Sequence, residues 1–231
     1  MKTIGLIGGM SWESTAEYYR IINEAVRERL GRSHSAKIIM FSVDFEEVRE
    51  LHRARNWDEA TNLMIDAAKR VERGGADFVL ICTNTMHKMA EDVQANISIP
   101  LLHIADVTAE KVISLSLKKV GLLGTKFTME QNFYKGRLKD KYSLDVVIPN
   151  EADRQVVDNV IFNELCLGKI KDSSREQTKT IMKSLVDNGA QGIILGCTEL
   201  PLLIKQEDCS VPIFDTTAIH AKAAVDYALR D

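Results

Sequence analysis

Gly189–Glu199 reads GAQGIILGCTE, and Gly75–Thr85 reads GADFVLICTNT. In each, Gly-Ala opens a short apolar run that ends in small polar residues. Such a run, bounded by turn residues, fits a buried strand of a parallel sheet. Laid together without gaps, the stretches put Thr83 opposite Cys197 and Asn84 opposite Thr198, 114 residues further on. Two strand ends of one design predict two related halves with one site shared between them. Cys197 is the main reactive group expected there.

Working outward, two more echoes appear. Lys119–Thr125, KVGLLGT, repeats Thr3–Gly9, TIGLIGG, at an offset of 116 residues. Ser210–Ala221, SVPIFDTTAIHA, repeats Ser98–Ala109, SIPLLHIADVTA, at an offset of 112. Three echoes in one order at nearly one spacing indicate a duplication. Strands are expected at Thr3–Ile7, Lys37–Val43 and Asp77–Cys82 in the first half. The second half should place them at Lys119–Thr125, Leu144–Ile148 and Gly192–Gly196. Between them lie helical patterns: one capped by Ser11 or Ser14 and running to about Leu30, with Tyr18, Ile22 and Val26 on one face; Trp57–Arg73, with Ala60, Leu63, Met64, Ala67 and Val71 in register; and segments around Arg154–Leu167 and Arg175–Asp187. Asp44-Phe45 is read as a polar turn.

Strands alternating with helices imply parallel sheets covered on both faces. The expected fold is two duplicated Rossmann-like (flavodoxin-like) α/β/α domains, pseudo-twofold related, with the active site between them. Residues 1–103 plus 216–231 would form one domain and residues 104–215 the other. Ligands of open parallel sheets bind beyond the carboxyl ends of the strands. Gly8–Ser11, Thr83–Thr85, Thr125–Thr128 and Cys197–Glu199 all fall there.

The 231 residues, 45% hydrophobic and 27% charged, fit a globular protein with an ample core. A net charge of −3 gives no footprint for nucleic acid or an acidic membrane. The opening MKTIGLIGGM lacks the long apolar region and small-residue cleavage site of a signal peptide. No apolar run is long enough to span a bilayer. Cys82, Cys166, Cys197 and Cys209 make no CxxC pair, and no His stands at metal-finger spacing from them. The expectation is a reduced, cytoplasmic protein without a metal site.

Cys197 sits where a strand ends and a helix could begin, a place where the helix dipole favours a thiolate. A buried structural thiol is the alternative. If Thr83 faces the ligand, strand alternation turns Cys82 into the core. Cys166, inside an amphipathic helix, and Cys209, in a polar turn, are expected to be inert. Asn84, Thr85 and Thr198 can hold a carboxylate or a developing enolate oxygen, or can cap helices. Thr125 and Thr128 form a similar cluster. Gly8-Gly9 is either a tight turn or an anion cradle. His87 can orient the Thr83 cluster, His52 can approach a substrate side chain, and Lys169 can supply a positive charge to a carboxylate. Arg53 and Arg55 lie near a loop suited to a distal carboxylate, with solvated surface arginines as the alternative, and no Arg is marked as its ligand.

GLIGGMSWEST at the start, TNTMH at 83–87, LLGTKFTMEQNFY at 122–134, LGCTE at 195–199 and FDTTAIHA at 214–221 carry a resemblance. They span nearly the whole chain. The sequence resembles the cofactor-independent aspartate/glutamate racemases, within the superfamily that also holds hydantoin racemases and arylmalonate decarboxylases. The resemblance implies amino-acid racemisation by two acid/base groups, with no cofactor, metal or pyridoxal phosphate. Cys197 matches the later cysteine of the family motif, and Thr83 stands where the earlier cysteine is usual. The family's carboxylate-binding role carries over to Asn84, Thr85, Thr128 and Thr198; Met10, His52 and Lys169 complete the expected substrate-binding set. An amino acid, aspartate or glutamate favoured, is the implied partner, and a homodimer the implied assembly. A single-cysteine decarboxylase and a non-catalytic amino-acid-binding protein stay open as alternatives.

Overall fold

The computed structural model describes residues 1–230. The chain divides into two compact units, Met1–Ile104 with the segment from His220 onward, and Ala105–Ile219.

The first unit holds β1 (Ile4–Gly8), α1 (Trp12–Leu30), β2 (Ile38–Ser42), α2 (Phe45–Arg53), α3 (Trp57–Arg73), β3 (Phe78–Ile81) and α4 (Ala90–Ala95). A 3-10 turn, Thr85–Met89, follows β3. The sheet is parallel in the order β2-β1-β3. Strand alternation sorts its side chains onto two faces. Ile7, Val79 and Ile81 pack with Ala60, Met64, Ala67 and Val71 of α3. Ile4, Leu6, Phe78, Leu80 and Cys82 pack with Tyr18, Ile22 and Val26 of α1 and with Ala221, Ala224, Val225 and Ala228. Ser11 caps α1, its hydroxyl accepting from the N–H of Ser14.

The expected polar turn at Asp44-Phe45 is instead the start of helix α2. The Asp44 carboxylate caps it, accepting from the N–H of Glu46 at 3.0 Å. Phe45, Val48 and Leu51 form the apolar face of α2 and pack on the α3-face cluster, with only Val48 fully buried.

Helix α5 (Ile104–Ser114) leads into the second unit. There follow β4 (Lys119–Gly124), α6 (Lys126–Glu130), α7 (Asn132–Tyr142), β5 (Asp145–Val147), α8 (Glu151–Asn163), α9 (Asp172–Asp187), β6 (Ile193–Gly196), α10 (Leu200–Leu203), β7 (Ile213–Asp215) and α11 (Thr216–Leu229). The parallel sheet runs β5-β4-β6-β7. Leu123, Ile193, Leu195 and Cys197 share one apolar cluster with Val157, Val160 and Ile161 of α8 and Ile181, Met182 and Leu185 of α9. The helix expected over Arg154–Leu167 ends at Asn163. A separate 3-10 turn, Leu165–Leu167, follows it and is closed by Gly168 at φ 68°. Cys166 therefore lies on that turn and not inside an amphipathic helix.

Each unit thus runs through the same connections. Where the second has β7, the first has Leu101 alone, bridged to Val79. No helix among the described residues is long and apolar enough to cross a membrane.

Candidate active site

The second unit brings Cys197, Thr198 and Glu199 together directly after β6. Cys197 continues the alternation of Ile193 and Leu195, so its side chain turns to the α8–α9 face, where it is 7% exposed. Its Sγ–H donates to Glu199 Oε2 at 3.0 Å. The Thr198 hydroxyl donates to the same oxygen at 2.7 Å. Glu199 is itself buried. Burial first, then the neighbouring Glu199 charge and Cys166, push the Cys197 thiol well up. The sequence placed Cys197 at a helix start that would favour its thiolate. The structure corrects this: the next helix, α10, is four residues long, begins at Leu200 and is preceded by Glu199. Cys197 is a thiol donating to a carboxylate, and a carboxylate beside it disfavours the thiolate.

Glycines make room for this arrangement. A Cβ at Gly196 would lie 3.2 Å from Thr128 Cγ2. Thr128 is fully buried, its hydroxyl 3.2 Å from that of Thr125. Thr125 also caps α6, accepting from the N–H of Thr128 at 3.3 Å. Next to β6, the Thr216 hydroxyl donates to the Leu195 carbonyl at 2.8 Å. Lys169 lies on the exposed stretch after the Leu165–Leu167 turn.

In the first unit, Cys82 is fully buried among apolar side chains of the α1 face, and that desolvation pushes its thiol up beyond the range of useful acid/base chemistry. Thr83, next along the strand, is half-buried. Its carbonyl is fastened by His87. The backbone N–H of Ile104 donates to His87 Nε2 at 3.2 Å, so the ring proton sits on Nδ1 and donates to the Thr83 carbonyl at 2.7 Å. Asn84 and Thr85 are buried in the turn that follows. Met10 is buried in the α3-face cluster with Val43 and Met86. His52, half-buried on α2, lies 3.1 Å from Met86 Sδ, and burial lowers its pKa.

Gly8-Gly9 forms a close-packed turn. The Gly9 N–H donates to Thr15 Oγ1 at 2.9 Å, and a Cβ at Gly8 would fall 2.3 Å from Thr15 Cγ2. Arg53 is exposed and paired with Glu46 at 2.6 Å. Among the described residues no group of three or more His, Cys, Asp or Glu is arranged to hold a metal ion.

The sequence reading missed Glu199 as a partner of the reactive thiol. Its only signal was its position two residues after Cys197, which equally suits a helix cap.

Two duplicated parallel α/β units, with a hydroxyl-rich, thiol-bearing strand edge in the second, define an α/β protein of the Asp/Glu racemase fold. The chain belongs to the Asp/Glu/hydantoin racemase family, whose sequence pattern matches residues 7–224. It is similar to a Yersinia pestis protein of known structure, classed with the Asp/Glu racemases, at 52% identity and a TM-score of 0.94, each chain covered in full. An aspartate racemase homologue from Pyrococcus horikoshii OT3 matches at 38% identity and a TM-score of 0.87, again over all of both chains. The broad specificity amino-acid racemase RacX of Bacillus subtilis (strain 168) is 27% identical over 228 residues, 96% of each chain.

Proposed function

We propose that the protein racemises amino acids, aspartate and glutamate favoured, by cofactor-independent proton exchange at Cα. Cys197 acts as one acid/base group, and Thr83 stands in the place of the other. The observation that carries this reading is the Cys197 thiol held beside a buried carboxylate at the end of β6, in a chain of the racemase family. A relative described as a broad specificity amino-acid racemase and another described as an aspartate racemase homologue support the substrate class.

Cys197, as thiolate, removes the α-proton, and the carbanion spreads its charge into the substrate carboxylate. Asn84, Thr85, Thr128 and Thr198 supply donors for that carboxylate, with Lys169 as the cation for it. Met10 and His52 are assigned to the substrate side chain. Reprotonation on the opposite face gives the enantiomer. A Thr hydroxyl is far less acidic than a thiol with an ordinary pKa of about 8.5, so Thr83 relays the proton through water. The depth of Cys82 in the α1-face cluster supports Thr83, and not Cys82, in that position. With one cysteine at a strand edge, a decarboxylase of the arylmalonate type is the second reading.

The test is proton NMR in deuterium oxide with separate L- and D-aspartate and glutamate. Loss of the Cα–H signal with growth of the opposite enantiomer is expected. General acid–base catalysis contributes roughly 10²–10⁴-fold, so Cys197→Ala should lose about that much of the exchange rate. Full exchange in Cys197→Ala would remove Cys197 from the mechanism. Carbon dioxide release from an arylmalonate, with no exchange from any amino acid, would favour the second reading.

A further inference from the structure

We infer that Glu199 is a positioning and proton-holding residue for Cys197, the two side chains forming a dyad that cycles between one and two protons. The inference rests on the reading of Cys197 as the acid/base group and adds where its proton goes. Cys197 Sγ and Glu199 Oε2 lie 3.0 Å apart, and both residues are buried. Two like charges at that distance in a buried site cannot both form at modest cost. A thiolate beside a carboxylate is therefore excluded as a working state.

The base must still be a thiolate. The balance closes if the thiol proton passes to Glu199, which gives a thiolate beside a carboxylic acid at no change in net charge. The thiolate then takes the Cα proton, leaving thiol and carboxylic acid, two protons in all. In the reverse direction this two-proton form gives the Sγ proton to the carbanion. The Glu199 proton then returns to sulfur, restoring thiol and carboxylate. The dyad never falls to zero protons in either direction. The Thr198 hydroxyl, donating to the same oxygen at 2.7 Å, holds Oε2 toward the sulfur. Cys166, on the Leu165–Leu167 turn, is the other titratable group that bears on Cys197.

Glu199→Gln keeps the shape and an acceptor for the thiol but cannot take the proton. Two readouts separate the roles. The first is the pH dependence of Cys197 alkylation by iodoacetamide, read by mass spectrometry on the peptide containing Cys197. The wild type should show two steps, because a coupled pair titrates as a pair. Glu199→Gln should show one, at a lower pH than the upper step of the wild type, since the neighbouring anion is gone. The second is deuterium entry at Cα, which should fall about 100-fold, the lower end of general acid–base contributions. Faster exchange in Glu199→Gln, following its easier ionisation, would overturn the proposal and leave Glu199 a mere suppressor of the thiolate. An unchanged alkylation profile would overturn it too. If the Gln variant does not fold, Glu199→Asp should retain two steps with an intermediate exchange rate, and a single step there would count against the dyad. A wild type that exchanges no amino acid fails the racemase reading, while the alkylation profile still decides the dyad.

Discussion

His220 is fully buried, and both its ring nitrogens are committed. Nε2–H donates to the Leu102 carbonyl at 2.8 Å, and Nδ1 accepts from the Tyr18 hydroxyl at 2.9 Å. The ring is held neutral, its pKa lowered by desolvation from 6.5 to about 4. Protonation would turn Nδ1 into a donor facing the Tyr18 donor, with the His87 ring 5.7 Å away and the His103 ring against His87. A native pKa below the unfolded one means that the unfolded chain takes up the proton first. The stabilisation is complete above pH 6.5 and drains away as the pH falls through about 4. The full loss is about 3 kcal/mol, at 1.36 kcal/mol per pH unit of separation. His220→Gln keeps one donor and one acceptor and does not titrate, so urea unfolding from pH 7.5 to 4.5 should show a shallower loss than in wild type. Equal slopes would exclude His220 as the group responsible. Little of this is legible in the sequence, where His87, His103 and His220 are scattered and only folding stacks them. The burial of Cys82 was legible, because strand alternation fixes it. The partnership of Cys197 with Glu199 was not, because it depends on a backbone turn that brings residue i+2 back to the sulfur.

At the scale of elements, the two units repeat each other down to single contacts. Gly5 on β1 faces α3, where an added Cβ would lie 2.4 Å from Val71 Cγ1 and 2.8 Å from the Phe78 carbonyl. Gly121 on β4 faces α9, where a Cβ would meet Leu185 Cδ1 at 3.0 Å and Ile193 Cδ1 at 2.7 Å. In each unit a helix therefore sits against the strand closely enough that only glycine fits. The outer edges repeat as well: the Val79 N–H donates to the Pro100 carbonyl, and the Ile193 N–H to the Pro212 carbonyl, both at 2.9 Å. Gly5→Ala should destabilise the fold by roughly 1–3 kcal/mol, because overpacking against backbone outweighs the small entropic gain of alanine. A lower urea midpoint at unchanged m-value would show it; a midpoint at or above wild type would mean that α3 can withdraw. The echoes TIGLIGG and KVGLLGT made this duplication readable, since strand-end glycines and apolar runs survive in sequence. Helix α2 escaped the reading because it is a single short run, Phe45–Arg53, whose apolar face is only Phe45, Val48 and Leu51 among charged residues.

At the scale of the whole molecule, the sequence disclosed the family through motifs spread along the chain, yet it marked no cation for a distal carboxylate. Arg53 is committed to Glu46 on the surface, and Arg55 is exposed. The stronger constraint on function is thermodynamic. Enantiomers have equal free energy in water, so a racemase must show equal kcat/KM for the L and D forms, whatever occupies its two acid/base positions. On the proposed mechanism, Thr83 in a cysteine's place would weaken one proton transfer, and that transfer would belong to both directions of the same path. The departure therefore appears as unequal kcat values matched by unequal KM values. This is the behaviour expected when one bound enantiomer rests lower in energy than the other. Initial rates from each pure enantiomer of aspartate and glutamate, read by chiral chromatography, should give kcat ratios away from one and kcat/KM ratios of one. Full progress curves from either side should end at an equal mixture. If fresh enzyme, added to a reaction that has stopped short of the equal mixture, moves it no further, a second product or a coupled reaction is being formed. The racemase reading would then give way.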